Sequence, residues 1–308
     1  MKNYSLKKIK NKIAFKFGTI VSLVKFLLLS FFQEDKVLPN KTFGIVFSKD
    51  RPLQLKSLID SFILNKKGQC KLIIIFSTSS TEYLKGYKEL IEIYSNRPSL
   101  RFIKQSRDLK SLLVKTLEHI NGFRIFFLVD DIIFIRNVDF DKLKAIDLKK
   151  NIISLRMGKN LNFSLMSNSI QPLPEFFKEG KFLTWNWKES FYDWRYIISL
   201  DGHFFHKNEI LKFIKSVNFK APNSLEHKLQ IFKFLFRKRL GVCHEYSTIV
   251  NFPFNRVQNE FDNSFGNYHQ DFLLSQWNKK KYIDISVFQD LPNNSVHQEV
   301  EIKFIDEK

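Results

Sequence analysis

Short apolar runs alternate along the chain with stretches in which apolar residues recur every three or four positions. The runs are 43–47, 71–76, 100–103 and 124–129. The periodic stretches are 52–64, 81–94 and 108–120, and the first opens with a proline in its first turn. Strands that are apolar on both faces and alternate with helices predict βαβ units. We therefore expect an α/β fold with a mostly parallel central sheet flanked by helices.

The residues that follow the first and fourth strands carry the chemistry. Parallel sheets bind ligands beyond the carboxyl ends of their strands. The first strand is followed by Ser48, Asp50 and Arg51 at the start of a helix, whose N-terminus favours anions. This predicts nucleotide or phosphate binding. The alternative is that Asp50 caps the helix and Arg51 is solvated.

The fourth strand runs directly into Asp130 and Asp131, and the chain then returns to apolar residues at 132–134. Carboxylates in apolar surroundings are costly unless a cation or hydrogen-bond donors compensate them. Mg²⁺ and Mn²⁺ prefer such hard oxygen ligands, so the sequence predicts a divalent metal site at Asp131 and Asp130. A solvated acidic strand end is the alternative.

Residues 1–38 form a separate N-terminal element, predicted as a basic amphipathic helix. Five lysines within residues 2–12 precede a mostly apolar stretch, 13–32, that ends without a small-residue cleavage site. Lys16 and Lys25 are unfavourable in a spanning helix, and Lys8, Lys12, Lys16 and Thr19 share one side. We expect an in-plane anchor on an anionic membrane surface. A helix packed on its own domain is the alternative.

The charge balance favours anionic partners. The 308 residues include 50 Lys and Arg against 31 Asp and Glu, a formal charge of +19. Nucleic acid, a membrane surface or phosphorylated small molecules fit this charge. No GxGxxG, GxxxxGK[ST] or HExxH motif occurs, and the two cysteines lack a CxxC partner. These absences remove the usual dehydrogenase, P-loop, zincin, disulfide-framework and structural-zinc interpretations.

Three segments, 43–52, 127–131 and 199–205, together resemble glycosyltransferases of the GT-A fold. The likeness is to the bacterial family 2-like enzymes of surface-polysaccharide synthesis, such as lipopolysaccharide or capsule. Segment 127–131 resembles their DxD region, and 222–226 resembles an acidic motif that opens a helix. The resemblance covers about residues 42–275. It departs from the family where Asp130 and Asp131 are adjacent and Ile132 replaces a third acid.

The resemblance implies transfer of a sugar from a nucleotide-activated donor to a hydroxyl of a glycan or lipid-linked acceptor. Asp131, with Asp130, would hold Mg²⁺ or Mn²⁺ on the diphosphate. Glu226 is the first candidate for the base and Asp201 the second. The alternatives are a first-turn helix acid for Glu226 and a turn for Asp201 and Gly202. The residues expected to bind the donor are Ser48, Asp50, Arg51, Asp130 and Lys110 or Lys115.

Aromatic residues concentrate before segment 199–205. Trp185, Trp187 and Trp194, with His203, are the candidates for acceptor binding, since sugars stack on ring faces; a core role is the alternative. The other histidines considered as ligands or orienting groups show no diagnostic spacing: His206, His227, His244 and His269. A polar loop, 251–258, with Arg256 and Gln258, is a candidate for closing over a substrate.

We predict one catalytic domain over 42–284, with a nucleotide-binding half at 42–140 and an acceptor half at 150–284. Residues 285–308 are predicted as a C-terminal tail, either a final strand pair or a flexible end. The expected location is cytoplasmic, peripheral on the inner face of the cell membrane.

Three other functions compete with sugar transfer. A nucleotidyltransferase shares such a sheet, but its usual glycine- and Lys/Arg-rich loop is not matched at 48–52, which has no glycine. A nucleic-acid-binding protein suits the charge, but its aromatic or helix-turn-helix motifs are absent, so we expect no nucleic acid partner. The third possibility is an inactive relative of these enzymes that keeps their fold, because Ile132 stands where the family has a third acid.

Overall fold

The computed structural model describes residues 2–253 and 268–306, with the side chains of the first helix described from Lys16 onward. The helices in this part of the chain are α1 (Lys2–Phe32), α2 (Pro52–Asn65), α3 (Thr81–Ile93), α4 (Leu109–His119), α5 (Phe140–Leu143), α6 (Lys207–Ser216), α7 (Pro222–Leu229) and α8 (Gln270–Asn278). Short 3-10 helices cover Trp187–Glu189, Tyr192–Arg195, Gln230–Phe236 and Ile285–Phe288.

The strands are β1 (Thr42–Lys49), β2 (Lys66–Lys67), β3 (Cys70–Ser77), β4 (Leu100–Lys104), β5 (Arg124–Val129), β6 (Ile132–Phe134), β7 (Val138–Asp139), β8 (Asn151–Ser154), β9 (Phe163–Ser164), β10 (Ser169–Ile170), β11 (Phe177–Glu179), β12 (Phe182–Trp185), β13 (Phe204–His206), β14 (Leu240–Cys243), β15 (Ile249–Asn251), β16 (Lys281–Ile283) and β17 (Phe304–Asp306).

The central sheet has the order β13-β5-β1-β3-β4. Strands β4, β3, β1 and β5 are parallel, and β13 is antiparallel to β5. Each predicted strand and helix of the first half occurs with bounds that differ by only one or two residues. The predicted α/β fold with a mostly parallel central sheet flanked by helices is confirmed.

Both faces of this sheet are covered by helices. Val46 of β1 packs into a core with residues of α2, α3 and α8, whereas Ile45 and Phe47 pack on the other face with α4 and α6. A strand buried on both faces has to be apolar throughout, which explains the continuous run at 43–47. Helix α1 lies outside α6, where the Phe26 ring is 5.0 Å from that of Phe213.

The chain reverses its direction across the sheet at β1. From β1 it builds β3 and β4 on one side and then crosses to β5 on the other. Phe47 is paired with Val129, so the carboxyl ends of β1 and β5 lie side by side. Such a switch point opens a crevice in which α/β proteins bind ligands.

The second half adds a sheet of order β11-β12-β14-β8. The C-terminal segment packs on the body, since β17 pairs with β16 and Phe288, Val296 and Ile302 are buried. Only β17 lies within the predicted tail 285–308, since its partner β16 ends at Ile283. None of the helices within the described ranges has the length and apolar character needed to cross a bilayer.

Candidate active site

Arg51 meets both predicted acidic residues at the switch point. Its Nη1 atom lies 2.9 Å from Asp130 Oδ1 and 3.0 Å from Asp131 Oδ2. All three side chains are nearly buried. Arg51 follows β1 and the two acids follow β5, so the neighbouring carboxyl ends of these strands bring the groups together. The guanidinium therefore occupies the position between the carboxylates that the sequence assigned to a divalent cation.

The two remaining carboxylate oxygens also accept hydrogen bonds. Asp130 Oδ2 accepts from the backbone N–H of Lys49 at 3.1 Å, and Asp131 Oδ1 accepts from Asn251 Nδ2 at 3.1 Å. Strand β15 carries Asn251 to this place because it pairs with β6, directly after Asp131. Within the described ranges no group of three His, Cys, Asp or Glu side chains is arranged to hold a metal. As arranged, Arg51 lies between Asp130 and Asp131, so Mg²⁺ or Mn²⁺ would bind both carboxylates only after Arg51 moves away.

A second arginine organises the other half of the site. Arg156 Nη1 lies 2.9 Å from Ser199 Oγ and 3.4 Å from Asp201 Oδ2, and its Nη2 lies 3.3 Å from Asp193 Oδ1. Gly202 has φ +76°, which favours glycine, and its N–H donates to the Phe127 carbonyl of β5 at 2.8 Å. This turn holds Asp201 beside the end of β5. The turn considered for Asp201 and Gly202 is therefore present, and the role of Asp201 as a base stays a prediction.

Glu226, the fifth residue of α7, joins the same cluster, and it lies beyond the first turn that the alternative assigned to it. Its Oε2 accepts from the backbone N–H of Leu200 at 3.4 Å, and the Tyr196 hydroxyl lies near its carboxylate. Burial raises the pKa of Glu226 to about 7, and the negative charge of Asp201 adds to the shift. The structure thus brings together both residues considered as the base.

Electrostatics link the two halves. Burial raises the pKa of Asp131 to about 7, and the charges of Asp130 and Asp201 add to the effect while Arg51 opposes it. Burial also raises the pKa of Asp201. The cluster contains more carboxylates than guanidinium groups. Because of burial and this excess negative charge, Asp131 and Glu226 keep their protons to a higher pH than usual, and their pKa values are raised. With pKa values of about 7, Asp131 and Glu226 exchange protons near neutral pH.

Ser48 and Asp50 form hydrogen bonds with other residues of the protein interior. The Ser48 hydroxyl shares a 2.5 Å hydrogen bond with the Tyr87 hydroxyl, and Asp50 Oδ1 accepts from the Ser79 N–H at 2.7 Å. Asp50 has φ +56°, so its carboxylate ties a tight turn to the exit of β3. Both side chains are buried, and this corrects their predicted contact with the donor. Asp50 does not cap α2, whose N-cap residue is Arg51.

Lys110 is directed elsewhere, since its Nζ donates to Asn218 Oδ1 at 3.0 Å. Its predicted place in a phosphate cradle is not what the structure shows. Arg256 and Gln258, predicted to close over a substrate, lie outside the described residues.

The tryptophans form a core, which corrects their prediction as an acceptor platform. Trp185, Trp187 and Trp194 are at most 1% exposed. The Trp185 ring lies 4.6 Å from that of Trp187 and 5.1 Å from that of Trp194. Trp185 Nε1 donates to the Trp194 carbonyl at 3.1 Å. No ring face of the three is open to a sugar, because β12 turns Trp185 inward and the two following 3-10 helices bury Trp187 and Trp194 beside it.

His203 is likewise inaccessible, at 1% exposed. Its Nδ1 donates to the Ile197 carbonyl at 3.0 Å, and burial lowers its pKa to about 3. The ring is neutral at physiological pH and serves the interior, which corrects its predicted contact with the acceptor.

Sequence reasoning missed Arg156 and Asn251. Arg156 follows the short strand β8, and Asn251 is the last residue of the short strand β15. A polar residue at the end of a strand is the same signal that pointed to Arg51 and Asp131. The second half lacks the regular βαβ alternation, so the exits of its short strands could not be assigned to one edge from the sequence.

No model of a protein family matches the chain, and no curated protein matches it in sequence. Solved structures do match. TarS 1–349 of S. aureus in complex with UDP aligns at 13% identity with a TM-score of 0.43, over 66% of this chain and 58% of that one. A mannosyltransferase from Pyrobaculum calidifontis in complex with GDP-Man and Mn²⁺ aligns at 12% identity and TM-score 0.29, over 48% and 46%.

A nucleotidyl transferase from Methanothermobacter aligns at 12% identity and TM-score 0.37, over 68% of this chain and 89% of that one. The chain thus spans well under two thirds of the TarS and mannosyltransferase chains. These similarities do not identify a substrate for this protein. The choice of substrate depends on the side chains of its own site.

Proposed function

We propose that this protein is a glycosyltransferase that uses a nucleotide-sugar donor and a glycan or lipid-linked acceptor at the cytoplasmic face of the cell membrane. The acceptor oxygen forms a bond to the anomeric carbon, and the bond from that carbon to the donor phosphate breaks. The nucleoside diphosphate leaves, and the acceptor proton passes to a carboxylate.

One observation carries the proposal. Carboxylates and arginines from five separate places in the chain, at 51, 130–131, 156, 201 and 226, converge at the carboxyl edge of the parallel sheet, next to its switch point. Burying so many charged groups together lowers the stability of the folded protein, so stability does not explain why they are there. Guanidinium groups bind phosphate, and a carboxylate with a raised pKa can act as a general base.

Glu226 is the base in this proposal. Its pKa near 7 leaves it able to accept a proton at physiological pH, whereas Asp201 is held by Arg156. Arg156 orients Asp201, and the charge of Asp201 raises the pKa of Glu226. Glu226 therefore stays the first candidate for the base and Asp201 the second.

Arg51 supplies positive charge on the donor side. Because its guanidinium already bridges Asp130 and Asp131, we expect nucleoside diphosphate binding to proceed without an added divalent cation. A cation would have to displace Arg51 from both carboxylates.

Calorimetric titration with UDP, GDP, CMP and CDP, in Mn²⁺ and in EDTA, tests the proposal. We expect one nucleotide to bind, with affinities in the two media that agree within about twofold, and Arg51→Met to weaken binding about tenfold or more. Lys142→Met is the matched control, since Lys142 pairs with Asp139 outside the cluster. Arg51→Lys, which keeps the charge, controls for loss of the fold.

The other outcomes have distinct meanings. Binding that disappears in EDTA would mean that a metal displaces Arg51. Turnover of a nucleoside triphosphate with a sugar phosphate would identify a nucleotidyltransferase. Salt-sensitive binding of RNA without any nucleotide binding would replace the transferase proposal with a nucleic-acid-binding function.

A further inference from the structure

Helix α1 is held on the body by one side. Phe26 packs against Phe213 and Phe232, with ring centroids 5.0 and 5.3 Å away. The loop that follows α1 is held at two points: Lys212 Nζ lies 2.8 Å from Asp35 Oδ1, and Asn208 Nδ2 donates to the Lys36 carbonyl at 2.9 Å. The inner side of α1 is therefore covered by the body of the protein.

The outer side of α1 is apolar and exposed. Large side chains recur along it at helical spacing: Phe17, Ile20, Val24, Leu27, Leu28, Phe31 and Phe32. Their exposed fractions run from 49% for Val24 to 85% for Phe31. A continuous apolar stripe of this kind is unfavourable in water and marks an interaction surface. We call these seven residues the outer stripe.

Lysines border the outer stripe on both sides. At about 100° per residue, Lys16 lies about 80° to one side of Val24 and Lys25 about 100° to the other. Both side chains are exposed. Long basic side chains beside an apolar stripe place their charges at lipid headgroups while the stripe enters the acyl boundary.

The exposed side of α1 differs from the basic side that the sequence indicated. The sequence placed Thr19 on the polar, basic side, whereas Thr19 is half-buried. The side chains of Lys8 and Lys12 lie outside the described ones. From Lys16 onward, the surface open to a partner is the apolar stripe with its two bordering lysines.

We propose that the outer stripe, with Lys16 and Lys25, docks the protein in the plane of an anionic lipid bilayer. A second copy of the chain is a poorer occupant, because facing stripes would bring the four lysines of two chains, each with a formal charge of +19, into one interface. An anionic bilayer satisfies both the apolar surface and the charge.

The docking also orients the candidate active site. Helix α6 begins at the amino edge of the central sheet, where the Lys207 N–H donates to the Phe123 carbonyl, and runs to the carboxyl edge. Lys36 lies beside the start of α6, and Phe26 lies beside Phe213 further along it. The N-terminal part of α1 is therefore directed towards the carboxyl edge, where the carboxylates and arginines lie. Docking of α1 in the plane of the bilayer would therefore determine the direction in which that edge faces along the membrane.

Co-sedimentation with vesicles tests the proposal and does not depend on transferase activity. We expect binding to vesicles of phosphatidylcholine mixed with phosphatidylglycerol and about tenfold or more weaker binding to phosphatidylcholine alone. A Leu27→Ser, Leu28→Ser, Phe31→Ser variant should lose about tenfold or more of the partition coefficient. Lys16→Glu with Lys25→Glu should do the same.

Matched controls exist elsewhere on the surface. Lys85→Glu with Lys88→Glu makes the same change in net charge on α3, across the sheet from α1, and Leu64→Ser with Phe177→Ser removes exposed apolar side chains away from α1. Both controls should retain wild-type partitioning. Equal partitioning of the α1 variants and the controls would overturn the proposal.

A dye reports on the stripe itself. The native cysteines, Cys70 and Cys243, are buried, so a polarity-sensitive thiol dye would label Ile20→Cys or the control Ile93→Cys. We expect the emission of the Ile20→Cys conjugate alone to shift to the blue with anionic vesicles. A shift that follows protein concentration without lipid, together with a dimer by sedimentation, would instead assign the stripe to a second copy.

Discussion

Single side chains in this protein acquire their chemistry from burial. Glu226 and Asp131 have pKa values near 7 because the protein removes their carboxyl groups from water and places other carboxylates beside them. Arg51 and Arg156 keep the cluster from being uniformly negative. A carboxylate in this state is poised for proton transfer, whereas the solvated acids of the surface are not.

Glu226 gives the first prediction, which concerns pH. As the base, it acts only when ionised, so the rate of sugar transfer should rise with pH through about 7. Glu226→Gln should lower kcat by a factor of about 100 or more and remove this limb of the pH profile. The measurement is the pH dependence of kcat with the nucleotide-sugar identified by calorimetry.

The same residue has a linked effect on stability. The folded pKa lies above the ordinary value of 4.5, so the folded state holds the proton more tightly than the unfolded one. Stability should therefore fall as pH rises from about 4.5 through 7, and Glu226→Gln should be the more stable protein above pH 7. Denaturation curves that coincide above pH 7 would contradict the raised pKa.

At the scale of elements, short strands and turns place these side chains. The exits of β1 and β5 bring Arg51 to its two acids, and the left-handed Gly202 holds Asp201 beside β5. Strand β12 turns Trp185 inward, where it packs on Trp187 and Trp194. The tryptophans thus support the acceptor half by packing and do not contact a substrate.

The second prediction follows from this core. Trp194→Ala should lower the free energy of unfolding by about 3–5 kcal/mol, since it empties a fully buried site. Phe191→Ala, an exposed aromatic residue of the same segment, should change it by less than about 0.5 kcal/mol. Urea denaturation of both variants checks this. A Trp194→Ala protein of normal stability with weakened acceptor binding would restore the platform interpretation.

At the scale of the whole molecule, the C-terminal segment closes the body. Asn293 Oδ1 accepts from Ser247 Oγ at 3.0 Å, and Arg136 Nη2 donates to the Leu291 carbonyl at 2.6 Å. Phe288 and Val296 are buried with the two halves of the core. The segment after residue 284 therefore belongs to the folded domain as much as the central sheet does.

The third prediction concerns this segment. A chain that ends after Asp284 should fail to give soluble, cooperatively unfolding protein, because it loses buried apolar side chains and leaves Ser247 and Arg136 without these partners. Ile305→Ser, at an exposed position of β17, should be tolerated. Soluble yield and thermal unfolding by circular dichroism distinguish the two. A truncated chain with a normal melting temperature would show that the segment is dispensable.

The sequence by itself determined the alternation of strands and helices, and with it the parallel sheet and the edge where ligands bind. It also selected Arg51, Asp130 and Asp131 as candidates, because polar residues directly after buried strands are conspicuous in an apolar pattern. Asp201 and Glu226 were selected by their resemblance to motifs of a glycosyltransferase family. These are local properties of the chain. Hydrophobic periodicity determines which residues are buried within an element, and a charged residue beside a buried strand is visible without knowing its neighbours.

The tertiary structure decided which groups meet. Strand order put β5 beside β1, so that a guanidinium took the position predicted for a metal, and it brought Arg156 and Asn251 to the site from strands too short to recognise. It buried Trp185 and His203, which the sequence placed at an acceptor site, and it exposed the apolar side of α1. Pairing of distant segments depends on packing across the whole core, and no local pattern of residues specifies it.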